Sequence, residues 1–147
     1  MTYREEIRDL FTVPDEYFLA HCISADFGMG RGIVIEFNRR FNMKERLHLK
    51  YPGYARIWHE GNCYGDCILE DRVLNLITKE CYWHKPTYLT MQVALEKMLK
   101  LCLDNDIKKI AMPIIGCGLD RLDWKTVSGM VQNVFKNTDI EILVCKQ

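Results

Sequence analysis

Apolar and polar positions along this chain follow two periods, and the switches between them sort it into elements. Tyr17 to Ile23, YFLAHCI, is a short and nearly continuous apolar run, the signature of a buried strand. Ile33, Val34, Phe37 and Phe41 then keep a helical spacing that ends in the basic turn Arg39-Arg40. Val73 to Thr78, VLNLIT, predicts a strand that terminates at Lys79. Pro86 and Thr87 open a long helix through Leu103, with Leu89, Val93, Leu95, Met98 and Cys102 among its apolar positions and a Glu96–Lys100 pair outside. Lys109 to Ile114 predicts another strand. Asp123 is placed as the N-cap of a helix that carries Trp124, Val127, Met130, Val131 and Val134 inward. Ile140 to Cys145, IEILVC, is a final strand, and a first one precedes Asp9. Between Ala55 and Glu70, the stretch WHEGNCYGD predicts a hairpin with a glycine turn.

Strands that alternate with helices of this length imply βαβ crossovers and a mostly parallel sheet covered on both faces. No repeat, low-complexity tract or linker interrupts the pattern, and 147 residues suit one domain over residues 1–147. Open α/β sheets hold ligands beyond the carboxyl ends of their strands, and both glycine clusters fall there. GMGRG (Gly28 to Gly32) lies between a strand and a helix, and GCGLD (Gly116 to Asp120) between another such pair. Glycine lets backbone N–H groups approach an anion, and the helix start that follows favours negative charge. Either loop alone reads as a tight turn, since neither is a dinucleotide fingerprint nor a Walker pattern. Two at matching positions suggest a pyrophosphate.

Two side chains at the same crevice have reactive chemistry. Lys79 ends its strand; a lysine beside apolar walls sheds its proton more readily than a solvated one and then attacks a carbonyl carbon to make a Schiff base. Solvent is nevertheless the commoner fate of a strand-end lysine. Asp123 is better spaced than Asp120 to cap the next helix, which leaves Asp120 free as general acid or base. Asp9 is either a turn aspartate or an acceptor for an adenine amine. His21, inside an apolar strand, reads as a packed core histidine, and Cys117 as a small side chain its loop needs.

Charge and cysteine content narrow the classes further. Twenty Lys plus Arg balance twenty Asp plus Glu, which gives no sign of bulk attraction to nucleic acid or membrane. The start, MTYREEIRDL, lacks a signal-peptide pattern, and no apolar stretch nears the ~20 residues of a membrane helix. Seven cysteines, several inside apolar runs, fit free thiols in a reducing cytosol or nucleus. Cys63 and Cys67 lie close together, but no second pair at finger spacing accompanies them, so no zinc or other metal is expected.

Taken in order, AHCIS (Ala20 to Ser24), MGRGI (Met29 to Ile33), LITK (Leu76 to Lys79), HKPTY (His84 to Tyr88) and MPIIGCGLDRLDW (Met112 to Trp124) resemble the macrodomains. More narrowly, the chain looks like the terminal ADP-ribose protein glycohydrolase subclass, and the likeness runs through nearly its whole length. The resemblance implies a three-layer α/β/α fold with a mostly parallel mixed central sheet. It implies ADP-ribose contacts from Asp9 (to the adenine amine), Leu10, His21, Ser24, Met29, Gly30, Gly32, Ile33, Thr78, Pro113, Ile115, Gly116, Cys117, Gly118 and Leu119. Lys79 and Asp120 fall on the subclass's two catalytic positions, the lysine attacking C1″ of the distal ribose and the aspartate moving protons. Substrates implied are ADP-ribosyl esters of Glu or Asp side chains and O-acetyl-ADP-ribose, with no cofactor and a monomeric enzyme. A non-catalytic reader of ADP-ribosylation and a hydrolase of ADP-ribosylated nucleic acid are the alternatives. Arg8, Phe27 and Ile114 depart from the family pattern, where a glycine usually precedes the aspartate and an arginine often follows the proline.

Overall fold

A computed structural model describes residues 1–147. Six strands form one sheet in the order β1-β6-β5-β2-β4-β3. They are β1 (Thr2–Ile7), β2 (Phe18–Ser24), β3 (Asp66–Glu70), β4 (Val73–Lys79), β5 (Lys109–Met112) and β6 (Glu141–Lys146). All neighbours pair in parallel except β3, which runs antiparallel to β4. Five helices cover the sheet: α1 (Val34–Phe41), α2 (Met43–Lys50), α3 (Tyr54–Glu60), α4 (Tyr88–Asp104) and α5 (Trp124–Phe135).

Strand parity explains the layers, because successive side chains point to opposite faces. Ala20, Leu74, Leu76, Ile110, Met112, Ile142 and Val144 join the cluster formed with α4 and α5. Leu19, Ile23, Val73, Ile77, Ala111 and Leu143 join the other, with Phe37, Met43, Leu47 and Trp58 from α1, α2 and α3. Such runs, apolar on both faces, are what parallel strands between helical layers require. The architecture is the expected three-layer α/β/α arrangement. No helix is long and apolar enough to cross a membrane.

The helix ends follow their caps. Thr87 and Thr90 form a reciprocal capping box at the start of α4. Asp123 accepts from the Thr126 N–H at 3.0 Å at the start of α5, as its spacing predicts. On α4 the buried stripe is Met91, Ala94, Leu95, Met98 and Cys102, while Leu89 faces solvent. Lys100 pairs with Asp104 at 2.8 Å rather than with Glu96, which takes a bond from Gln92.

The hairpin predicted between Ala55 and Glu70 is not there. Tyr54 to Glu60 is helical, with Trp58 buried one turn beyond Tyr54, and the Gly61 N–H closes the helix on Ile57. The hairpin of this region joins β3 to β4 through Asp71, which sits at φ 55°. Gly65 serves a close approach instead of a turn. A Cβ there would stand 2.7 Å from the Thr90 carbonyl oxygen and 2.8 Å from the Ala94 nitrogen, both α4 backbone. Gly65→Ala is therefore expected to cost about 2–3 kcal/mol by forcing strand and helix apart. A melting temperature equal to the wild type's would show that the two backbones have room to spare.

His21 is fully buried in the α1-side layer, its ring stacked on Phe37 at 3.8 Å between centroids. The Asn75 carboxamide donates to the Ile68 carbonyl, so its Oδ1 is the acceptor 2.6 Å from His21 Nε2, and Nε2 carries the proton. Burial pushes the folded pKa down to about 4 from the ordinary 6.5, against a smaller upward effect of Asn75. Between those values the unfolded chain binds a proton that the folded chain refuses, so stability falls as pH drops through the window. We expect this group to remove about 2 kcal/mol of unfolding free energy between pH 7 and pH 5. Urea titration reads the loss, and the His21 ring resonances should stay unshifted down to pH 5. A His21 titration centred near pH 6.5 would overturn the assignment.

Candidate active site

The carboxyl ends of β2, β4 and β5 meet at one edge of the sheet, and each leads into a segment that shapes a shared cavity. Its volume is about 770 Å³, within the range of small-molecule sites. After β2, the loop through GMGRG leads to α1. After β5, the loop 113–123 carries GCGLD, with a 3-10 turn at Gly118–Asp120. Gly116 adopts φ +71°, and a Cβ on it would lie 2.6 Å from the Met91 methyl and 3.1 Å from a Leu122 methyl. Only glycine combines that backbone with that packing.

Lys79, the last residue of β4, extends into the cavity and donates to Asp120 Oδ1 at 2.7 Å. The two side chains are only 14% and 17% exposed. Such a bond, sheltered from most solvent, joins an amine and a proton acceptor beside the glycine loops. Asp123 occupies the α5 cap and so leaves Asp120 to this role.

The other sequence-derived positions divide cleanly. Ser24, Met29, Gly30, Gly32, Ile33, Pro113, Ile115, Gly116, Cys117, Gly118 and Leu119 line the same cavity as Lys79 and Asp120. Asp9 and Leu10 line an adjoining recess, which shares Ile33, Pro113 and Ile114 with the first. There one Asp9 oxygen caps a short turn through the Phe11 N–H at 2.9 Å. His21 and Thr78 are fully buried and lie in neither wall; the structure places them in the core, the reading the apolar strand suggested for His21. Burial raises the Cys117 thiol to about 11, with smaller help from Asp123 and Asp120, so it is no nucleophile near neutrality.

Residues that the sequence did not flag complete the walls: Arg31, Lys44, Tyr82 and Lys85. Lys85 Nζ donates to the Leu119 carbonyl at 2.6 Å, tying the turn after β4 to the loop that holds Asp120. Arg31 and Lys85 lie inside the MGRGI and HKPTY blocks, the signal that would have found them, whereas Lys44 reaches the cavity from α2. The three departures also find physical places. Arg8 is taken up locally by the Thr12 carbonyl at 3.0 Å. Phe27 points away from the cavity, buried against Tyr54 and His48 in the left-handed region at φ 58°. Ile114 lines both recesses.

Comparison with known proteins places the chain in a family. The sequence profile described as Macro domain matches residues 73–131. The human ADP-ribose glycohydrolase OARD1 is 42% identical over 138 residues, which cover 92% of this chain and 86% of that protein. The macrodomain of Thermus aquaticus DarG superposes with a TM-score of 0.79 at 21% identity, covering 99% of both chains. Thermosipho africanus DarTG, solved in complex with ADP-ribose, gives 0.75 at 16% identity over 99% of this chain and 42% of that one. The chain belongs to the macrodomain family. Within the family it stands with the hydrolases.

Proposed function

We propose that the protein removes ADP-ribose ester-linked to glutamate or aspartate side chains, and deacylates O-acetyl-ADP-ribose, through a covalent lysine adduct. The observation that carries this is the 2.7 Å bond between Lys79 Nζ and Asp120 Oδ1 inside a cavity walled by two glycine loops. In this reading the adenosine end lies toward Asp9 and Leu10, and backbone N–H groups of the glycine loops hold the diphosphate. The distal ribose then faces Lys79.

Asp120 takes a proton from the Lys79 ammonium, which frees the nitrogen lone pair. Nζ attacks C1″ as the bond from C1″ to the ester oxygen breaks, and that electron pair leaves with the carboxylate. Water then cleaves the nitrogen–carbon bond, with Asp120 relaying the proton back, and ADP-ribose is released. An acyl leaving group is already good, so positioning and a proton relay supply most of what the step needs. The reaction calls on no cofactor, and one chain carries every group it uses.

The test is release of ADP-ribose from a glutamate-modified protein and from O-acetyl-ADP-ribose, followed by mass spectrometry. Binding of free ADP-ribose without release from either substrate would make the protein a reader. A second reading, an acceptor made of nucleic acid, has one feature in its favour. Arg31, Lys44 and Lys85 line the cavity beside Tyr82 and Trp83, which are 60% and 65% exposed. Cations interleaved with aromatic faces suit a nucleotide strand. A modified oligonucleotide run beside the modified protein separates the two.

A further inference from the structure

Next to the cavity, the turn after β4 gathers donor atoms that the reaction leaves unused. Glu80, Cys81 and His84 bring a carboxylate oxygen, a thiol sulfur and an imidazole nitrogen within 4.8 Å of one another. The His84 N–H donates to the Cys81 carbonyl at 3.0 Å, closing a tight turn that puts the two side chains together. Two ligands separated by two residues in a turn are the repeating half-unit of zinc sites. Glu80, adjacent in sequence, adds a third.

The surroundings suit a cation. His59, from α3, places Nδ1 2.8 Å from the Glu80 carboxylate, the kind of bond that fixes a metal-bound carboxylate from behind. His84 Nδ1 holds only a 3.4 Å contact from the Cys81 N–H, so its lone pair is weakly committed. Asp26, which accepts from the Tyr82 N–H at 3.1 Å, adds negative charge beneath the turn.

We propose that Glu80, Cys81 and His84 bind one zinc-class divalent ion, with water at the fourth position and His59 orienting Glu80. A thiolate with an imidazole selects zinc or its neighbours over magnesium or calcium. Binding releases the Cys81 thiol proton to solvent as the sulfur–metal bond forms. Cys63 and Cys67 take no part: Cys63 donates to the Gly65 carbonyl and Cys67 is buried. The ion ties α3 to the turn that carries Tyr82 and Lys85, so it orders one wall of the cavity without touching Lys79.

The test uses the full chain with reduced thiols, titrated with Zn²⁺ and with Co²⁺ as a coloured probe. One equivalent of zinc should bind and raise the melting temperature, and a chelator should reverse the rise. The cobalt complex should show thiolate-to-metal charge-transfer absorption that survives Cys63→Ser and disappears in Cys81→Ser and His84→Ala. His59→Ala should keep one equivalent but bind it about 10–100-fold more weakly. Cys81 and His84 lie at the surface of a turn, so their variants should match the metal-free wild type in melting temperature. Binding well below one equivalent, or a thiolate band that persists without Cys81, overturns the site.

Discussion

Replacing Lys79 by alanine is expected to slow release of ester-linked ADP-ribose by at least about a thousandfold. The same variant should still bind free ADP-ribose, because the recess beside Asp9 and the glycine backbone do not depend on Lys79. Asp120→Ala should fail almost as completely, for a different reason. It leaves the amine in place but removes the acceptor 2.7 Å away that would take its proton. Groups that act as a unit are not additive, so the double variant should be hardly slower than either single one. Single-turnover release and calorimetric affinity, measured on the same three variants, check both halves. Because Asp120 also serves the second step, any ADP-ribosyl adduct that does form in Asp120→Ala should persist on the peptide that contains Lys79. Wild-type turnover by Lys79→Ala would remove the covalent step while leaving the family membership untouched.

That pairing is also where reading the chain alone stops short. Lys79 and Asp120 are 41 residues apart and meet only because β4 and β5 flank β2 in parallel. Each was recognisable as a candidate from its position at a strand end or in a glycine loop; their contact was not. The buried strands β2, β4 and β6 were legible because they are apolar on both faces, and the Asp123 cap because the inward spacing begins at Trp124. The helices α2 and α3 were missed for a shared reason. Met43 and Leu47 are the only buried residues in eight on α2, and Trp58 the only one in seven on α3. Two contacts among charged residues do not raise a helical period above the noise, and Gly61 with Gly65 imitated a turn. Lys44 was invisible for the same reason. His21 shows how a family assignment and the side-chain alternation disagree: Leu19, His21 and Ile23 share one face, and the structure stacks the imidazole under α1.

Phe37→Ala is expected to cost about 4 kcal/mol of unfolding free energy, since the residue is 0% exposed and its volume has no substitute. Its ring stacks on His21, meets Phe11 edge-on at 5.1 Å between centroids and lies 6.2 Å from Phe41. It thereby fastens α1 both to β2 and to the turn that bears Asp9. Because α1 begins just after GMGRG, the same cavity that lowers stability should loosen that glycine loop and, on the proposed function, weaken ADP-ribose binding. A loss this size approaches the whole stability of a small domain, so Phe37→Leu, which keeps most of the volume, is the second arm at below about 1.5 kcal/mol. Urea unfolding of the two variants measures the difference, and a cost of less than about 1 kcal/mol for the alanine would show that the ring is not a keystone. The imidazole supplies an independent readout. Without the ring above it, water reaches His21, its pKa climbs back toward the ordinary 6.5, and the acid sensitivity between pH 7 and pH 5 shrinks. Weakened stability with an unchanged His21 titration would mean that another side chain has closed over the gap, and that the stacked pair was not what kept the imidazole dry.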